Sequence, residues 1–180
     1  MKKLILIIII ILYNVKLNYA QNYYTFPMDS TNWQVNCYWL DVDKSYFLAQ
    51  QDTFVNDTQY SKVYWSNYEY PNILMALMRE ENKKVYIKFE MNYLSFRDTS
   101  EFVLYDFNLN IGDTFFVPYR APLGGYSCFL KDTVIVTSVD SVIINGLYRR
   151  QIHLSPISGI FYQGVCDNQI WIEGIGSLVH

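Results

Sequence analysis

Along much of this chain apolar and polar residues alternate with a period of two. The stretch "KKVYIKFEM" (83 to 91) places Val85, Ile87, Phe89 and Met91 on one side and Lys84, Tyr86, Lys88 and Glu90 on the other. That is the pattern of a strand with one buried face. In "VLYDFNLNIGDTFFV" (103 to 117), Val103, Tyr105, Phe107, Leu109 and Ile111 share one parity, Asn108 and Asn110 hold the other, and Gly112-Asp113 turns the chain. "NILMALMREEN" (72 to 82) contains good helix formers. A turn at Glu81-Asn82 would instead pair it with the strand that follows, and strand is the reading adopted.

The clearest local signal is "VIINGLYRRQIHL" (142 to 154). Asn-Gly favours a two-residue hairpin turn, which needs positive φ at both positions. The register then sets Ile144 against Leu147, Ile143 against Tyr148, Val139 against Ile152 and Thr137 against Leu154. One face carries Ile135, Val139, Ile143, Tyr148, Ile152 and Leu154 and is expected to be core. The other carries Ser138, Asp140, Arg149, Gln151 and His153, with Asp140 diagonal to Arg149. Arg150, opposite Ser141, is expected to reach out at the sheet margin. "NDTQYSKVYWS" (56 to 66) echoes the spacing of "NGLYRRQIHLS" (145 to 155). A diverged hairpin repeat and convergent turn chemistry both account for the echo.

Asp-Thr recurs at 52, 57, 98, 113 and 132. An Asp at a turn followed by a strand-opening Thr suffices to explain it. "PYRAPLGGYSC" (118 to 128) lacks a strand pattern and reads as a loop, the first place to look for a ligand on a rigid β scaffold.

The N-terminus departs from this alternation. "MKKLILIIIIILYNVKLNYA" has Lys2 and Lys3 before an apolar run from Leu4 to Leu12. Nine residues are too few to span a bilayer as a helix, which takes about 20. The segment reads as a secretory signal, with cleavage expected near Ala20. Residues 21–180 then form a single domain. Loss of Lys2, Lys3 and Lys16 leaves 11 of the 14 cations against 17 anions, a balance of −6. No basic run follows, so neither nucleic-acid binding nor a polybasic membrane patch is expected. No second long apolar stretch occurs, so no integral membrane segment is expected in the mature chain.

Three cysteines follow the signal. Cys128 and Cys166 both lie near glycines and are the candidate bridge, whereas Cys37 sits in a strand-like run and reads as a buried thiol. Closing the 38-residue span between Cys128 and Cys166 would add about 4 kcal/mol in the loop-entropy model. Spacing alone leaves the pairing open.

Aromatics are abundant, with 17 Tyr, 11 Phe and 4 Trp, and with Val, Ile and Thr they favour strands. The fold expected is all-β, a single mainly antiparallel β-sandwich or partly closed β-barrel built from hairpins. Trp33, Trp39, Trp65 and Trp171, with Tyr126 in the glycine loop, are the candidate ligand-binding aromatics. Stacking on a glycan or lining an apolar cavity would use them; burial in a core would equally explain the tryptophans.

Four segments, "ALMREENKKVYI", "LYDFNLNIGDTF", "VDSVIINGLYRRQIHL" and "WIEGIGS", together resemble a broad group of secreted Bacteroidota proteins of unknown function. Many of that group carry a C-terminal type IX secretion sorting domain. Here His180 closely follows "WIEGIGS", so attachment by that route is not expected. The resemblance implies no catalytic residues.

Nothing in the chain assembles an enzyme motif. The two histidines include the terminal residue, "GGYSC" is not a nucleophile elbow, and Cys128 with His153 is not a convincing thiol pair. Glu80, Glu81, Glu101 and Glu173 are not brought together by any sequence signal. The expectation is an exported, non-enzymatic envelope or extracellular module without metal or cofactor, its partner a glycan or another envelope protein. The alternatives are a lipocalin-like carrier of a small apolar ligand and a carbohydrate-binding module using exposed aromatics.

Overall fold

The computed structural model describes residues 23–39, 41–67, 72–90, 100–123, 126–157 and 169–178, with side chains outside 35–45 and 117–132. The signal segment, Met91, Asp98 and Cys166 lie outside the described residues, as do the side chains of Cys37, Trp39, Tyr126 and Cys128.

Among the described residues there is no helix, and the chain is all-β. Strands β1 (Thr31–Trp39), β2 (Asp41–Val55), β3 (Thr58–Ser66), β4 (Ile73–Glu81), β5 (Lys84–Phe89) and β6 (Glu101–Asp106) form one sheet in chain order. Strands β7 (Thr114–Leu123), β8 (Tyr126–Ile144), β9 (Leu147–Pro156), β10 (Gln169–Ile172) and β11 (Gly176–Leu178) form the second, again in chain order. Every pairing is antiparallel and joins neighbours in sequence. Both sheets curl into half-barrels, giving a sandwich with barrel-like walls.

Three tight turns set the registers. Asn145 and Gly146 have φ of 52° and 77°, Asn56 and Asp57 have 48° and 62°, and Asn82 and Lys83 have 52° and 62°. Two successive positive-φ residues make the turn whose twist matches the flanking strands. The β8–β9 hairpin thus pairs Ile144 with Leu147 and Ile143 with Tyr148, as the Asn-Gly signal predicts. The β4–β5 turn lies one residue later than expected, at Asn82-Lys83, with Glu81 paired to Lys84. This third turn adopts the same backbone geometry without the sequence echo shared by the other two.

The β8–β9 register shifts between Val136 and Ser138, leaving Thr137 out of the ladder, and Val136 rather than Thr137 opposes Leu154. A one-residue bulge reverses the parity of everything beyond it. Val134 and Val136 are therefore the buried pair in place of Ile135, which is only half-buried. At the other end of the hairpin, Ile143 and Tyr148 are 58% and 62% exposed, against the expectation of core. β10 pairs with β9 only over Gln151–Leu154, so the hairpin tip lacks that in-sheet neighbour.

Residues 118–123 and 126–128 are not a free loop. Pro118 pairs with Lys131, Arg120 with Phe129, Ala121 with Cys128 and Leu123 with Tyr126, extending the β7–β8 hairpin. The prolines are tolerated because β7 is an edge strand, where a missing N–H need not break the ladder.

β5 buries Val85 and Ile87 as its alternation predicts. In β6 and beyond, Phe107 is 1% exposed, but Ile111, in the turn whose Gly112 N–H and Asp113 carbonyl bond Val136 of β8, is 67% exposed. The core between the sheets joins Val63, Ala76, Met78, Val85, Ile87 and Phe107 to Val134, Val136, Ile152, Leu154 and Trp171. Each fully buried large apolar side chain contributes about 1.5–3 kcal/mol relative to exposure.

Candidate functional site

A run of aromatic rings crosses the space between the sheets. Phe26 stacks on Trp33 at 5.5 Å and meets Tyr105 at 5.7 Å. Tyr105 lies edge-on to Trp171 at 5.3 Å, and Phe115 lies edge-on to Trp171 at 4.9 Å. Such tilted and edge contacts suit the ring quadrupoles. Trp171 ends up 1% exposed in the core, with its indole N–H donating to Gln169.

Beside this run the rings fail to close the interior. A half-open cavity of about 310 Å³ lies against the concave face of the six-stranded sheet. Trp33, Phe47, Met75, Met78 and Leu104 supply apolar wall, Phe26 and Ile175 close it from outside that sheet, and Tyr105, Ser177 and the exposed Gln34 are its polar groups. Its volume is at the small end of the range of about 300–1,000 Å³ for ligand sites, which are likewise mostly apolar with few polar groups. Gly176, at φ 105°, makes the closeness of β11 to this wall feasible: a Cβ there would stand 3.2 Å from both the Phe26 ring and the Tyr105 hydroxyl.

Burial raises the Tyr105 phenol above its ordinary range, outweighing the lowering effect of the hydrogen bond it accepts from the Ser177 backbone N–H. Tyr105 is therefore a neutral hydroxyl at physiological pH. Ser177 Oγ is buried and has no hydrogen-bond partner.

Below the cavity the segment before β1 is strapped across the sheet end. The Tyr23 hydroxyl donates to Glu80 Oε1, and the Phe26 N–H donates to Glu80 Oε2 at 2.8 Å. Burial raises the Glu80 carboxyl, opposed by those two hydrogen bonds and reinforced by the nearby Glu173 carboxylate. Tyr23 is raised by burial first, then by its bond to Glu80 and by the charges of Glu173 and Asp106. The fold thus gathers Glu80 and Glu173, which no sequence signal joined. Both Glu80 oxygens are already held by the strap, and Glu173 Oε2 accepts from the Arg150 N–H at 3.2 Å. This arrangement is a latch for the strap rather than an acid–base pair with access to a substrate. Arg149 completes it, lying over the Tyr24 ring at 4.5 Å and donating to the Glu173 carbonyl at 3.1 Å.

The remaining sequence candidates fall elsewhere. Arg79 takes up the other two glutamates, donating to both oxygens of Glu101 at 2.8 and 2.6 Å and to Glu81 at 2.7 Å while lying over Tyr86 at 4.1 Å. His153 opposes Ser138 as expected and contacts Gln151 at 2.7 Å and Asp140 at 3.4 Å. Asp140 thus meets His153, and Arg149 turns to the strap instead of to Asp140. Arg150 does not reach into solvent at the margin; its guanidinium donates to the Leu109 carbonyl at 2.6 Å and to Asn110 Oδ1 at 3.2 Å, tying β9 to the β6–β7 turn. Of the candidate aromatics, Trp33 lines the cavity, Trp65 is half-buried in β3 and Trp171 is core. Trp39 and Tyr126 belong to β1 and β8, their side chains outside the described residues. The aspartates of the Asp-Thr pairs are dispersed: Asp57 and Asp113 in turns, Asp52 at a β2 bulge and Asp132 within β8. Among the described residues no group of three or more His, Cys, Asp and Glu is arranged to hold a metal ion, and no helix is long and apolar enough to cross a membrane.

Sequence reasoning missed Phe26, Tyr105 and Ser177 as site residues. Each reads locally as strand, turn or core, and only the approach of β11 to the first sheet brings them together. Comparison with protein-family models, curated proteins and solved structures gives no match.

Proposed function

We propose that this chain is an exported, non-enzymatic binding protein that carries a small apolar ligand between its two half-barrel sheets. The observation that carries the reading is the apolar cavity of about 310 Å³ with Trp33 in its wall. The opening is half-open and its lining is mostly apolar, which suits a ligand body of the same character. Met75 and Met78 give the wall adaptable side chains, suited to ligands of imperfect shape. The engagement of Glu80, Glu101 and Glu173 by the protein's own donors supports carriage over catalysis. The export reading rests on the basic, short apolar N-terminus and places the carrier in the envelope or outside the cell.

The test is titration with the neutral apolar dye N-phenylnaphthylamine. One dye per chain should bind, and Met75→Trp, which fills the cavity, should abolish binding while thermal unfolding stays cooperative. No binding, or binding indifferent to Met75→Trp, would overturn the reading.

A further inference from the structure

Resting on the carrier reading, we infer that the ligand is a single-chain amphiphile that inserts tail first, its chain ending against Val63, Met78 and Ile87 and its polar head left in water beside Gln34. The floor and the mouth of the cavity lie on different parts of the first sheet. Val63, Met78 and Ile87 belong to β3, β4 and β5, the middle strands, and all three are buried. Gln34 belongs to the edge strand β1 and is exposed, next to the half-buried Trp33. Trp33 pairs with Phe47 of β2, and both rings line the cavity on the mouth side of that floor.

No group at the inner end is placed to receive a head. The floor is made of two aliphatic side chains and a thioether. The Tyr105 hydroxyl is turned to the backbone of β11, its oxygen 3.2 Å from the point where a Cβ on Gly176 would stand. Ser177 Oγ is buried and does not face the opening. Among the described lining residues there is no Lys, Arg, His, Asp or Glu. A head buried here would give up its water and gain no partner, a large cost for a hydroxyl and a larger one for an ion. At the mouth the same head keeps its water and carries no such cost.

The volume limits the tail. At about 30 Å³ for each water-sized group, 310 Å³ holds roughly ten such groups, which is one medium-length alkyl chain and not a pair of long ones. Met78 at the floor is unbranched and adaptable, so chains that differ slightly in length can end there.

The experiment is displacement of N-phenylnaphthylamine from the full protein by octanol, octanoate and octylamine, one tail carrying three heads. With the head in water all three should bind within about threefold of one another, whereas octanedioate, which must bury its second carboxylate, should bind at least about a hundredfold more weakly than octanoate. Hexanol, two methylenes shorter than octanol, should bind roughly tenfold more weakly. Gln34→Lys should tighten octanoate and weaken octylamine, each about two- to fivefold, and Gln34→Glu should do the reverse, as expected for an exposed charge pair. Thermal unfolding checks that both variants are folded. A tenfold or greater preference among the three heads, octanedioate binding as well as octanoate, hexanol matching octanol, or Gln34 variants that leave both ions unmoved would each refute tail-first insertion while the dye still binds. If neither the dye nor octanol binds the parent, the carrier reading itself fails.

Discussion

Replacing Ser177 by Ala should make the empty protein more stable, although most substitutions at buried positions do the reverse. Ser177 Oγ is buried with no partner, and leaving such a group unsatisfied costs about 1–3 kcal/mol. Ser177→Ala removes the group together with its cost. The missing oxygen opens a space smaller than a methyl group beside a cavity that already exists, so little packing is lost. The net expectation is a gain of about 0.5–2 kcal/mol. For a chain of this size each kcal/mol raises Tm by roughly 2–4 °C. Ser61→Ala is the matched control. Ser61 is buried too, but its hydroxyl donates to Asp52 Oδ1 at 3.1 Å. Its removal should cost about 0.5–1.5 kcal/mol. Urea unfolding of the parent and both variants, without ligand, measures the two signs. Equal losses in both variants would mean that Ser177 Oγ has a partner, such as a tightly held water, and the reasoning about its unsatisfied state would be refuted.

Other expectations follow from the turns and the tyrosines. At Gly146, φ is 77° and nothing lies within 4 Å of an added Cβ, so Gly146→Val should lose about 1–3 kcal/mol through backbone strain alone, while His153→Ala on the outer face should stay within about 0.5 kcal/mol; chemical denaturation compares them. Asp57 holds φ 62° in the equivalent turn position, so Asp57→Gly should raise stability by about 0.5–1 kcal/mol in the same assay. Tyr23, Tyr60 and Tyr105 are all raised, burial leading in each case. Their folded pKa values exceed the unfolded value of about 10, so their stabilisation is complete below that pH and is lost as pH rises above it, by up to about 1.4 kcal/mol per pH unit for each phenol. Urea midpoints at about pH 9 and about pH 11 should fall accordingly, and Tyr105→Phe should lessen the fall.

The strand pattern was legible wherever alternation ran uninterrupted. Val85 and Ile87 face the core, and Asn145-Gly146 turns the chain, because period two and turn chemistry are local properties. Bulges were not legible: nothing in "VIVTSVD" announces that Thr137 leaves the ladder, yet that one residue exchanges Ile135 for Val134 and Val136 in the core. The β4–β5 turn was misplaced by one because it puts Lys83 at positive φ, a position where lysine carries no signal. The cavity was beyond local reading for a different reason. Phe26, Tyr105 and Ser177 are separated widely in sequence, and a void is defined by what neighbouring elements fail to fill. One cue was available, since Glu80 shares the inward parity of Ala76 and Met78, and a carboxylate on a core face needs a dedicated donor. Tyr23 and the Phe26 N–H are that donor set.

The unbroken meander also sets the order of assembly. Each described strand pair joins sequence neighbours, so each hairpin can close without waiting for distant chain, and such local topologies reach their native pairing quickly. Among the contacts that break that locality, two concern the strap and the last turn. The strap bonds Phe26 to Glu80, and the β10–β11 turn brings Glu173 and Gly174 against Arg149 and Tyr24. The far wall of the cavity arrives on this same last hairpin, through Ile175 and Ser177. Refolding should therefore show strand formation first, by far-ultraviolet circular dichroism, and a later, slower phase in which the strap docks and dye binding appears. A chain stalled between the two phases would have its sheets but no pocket.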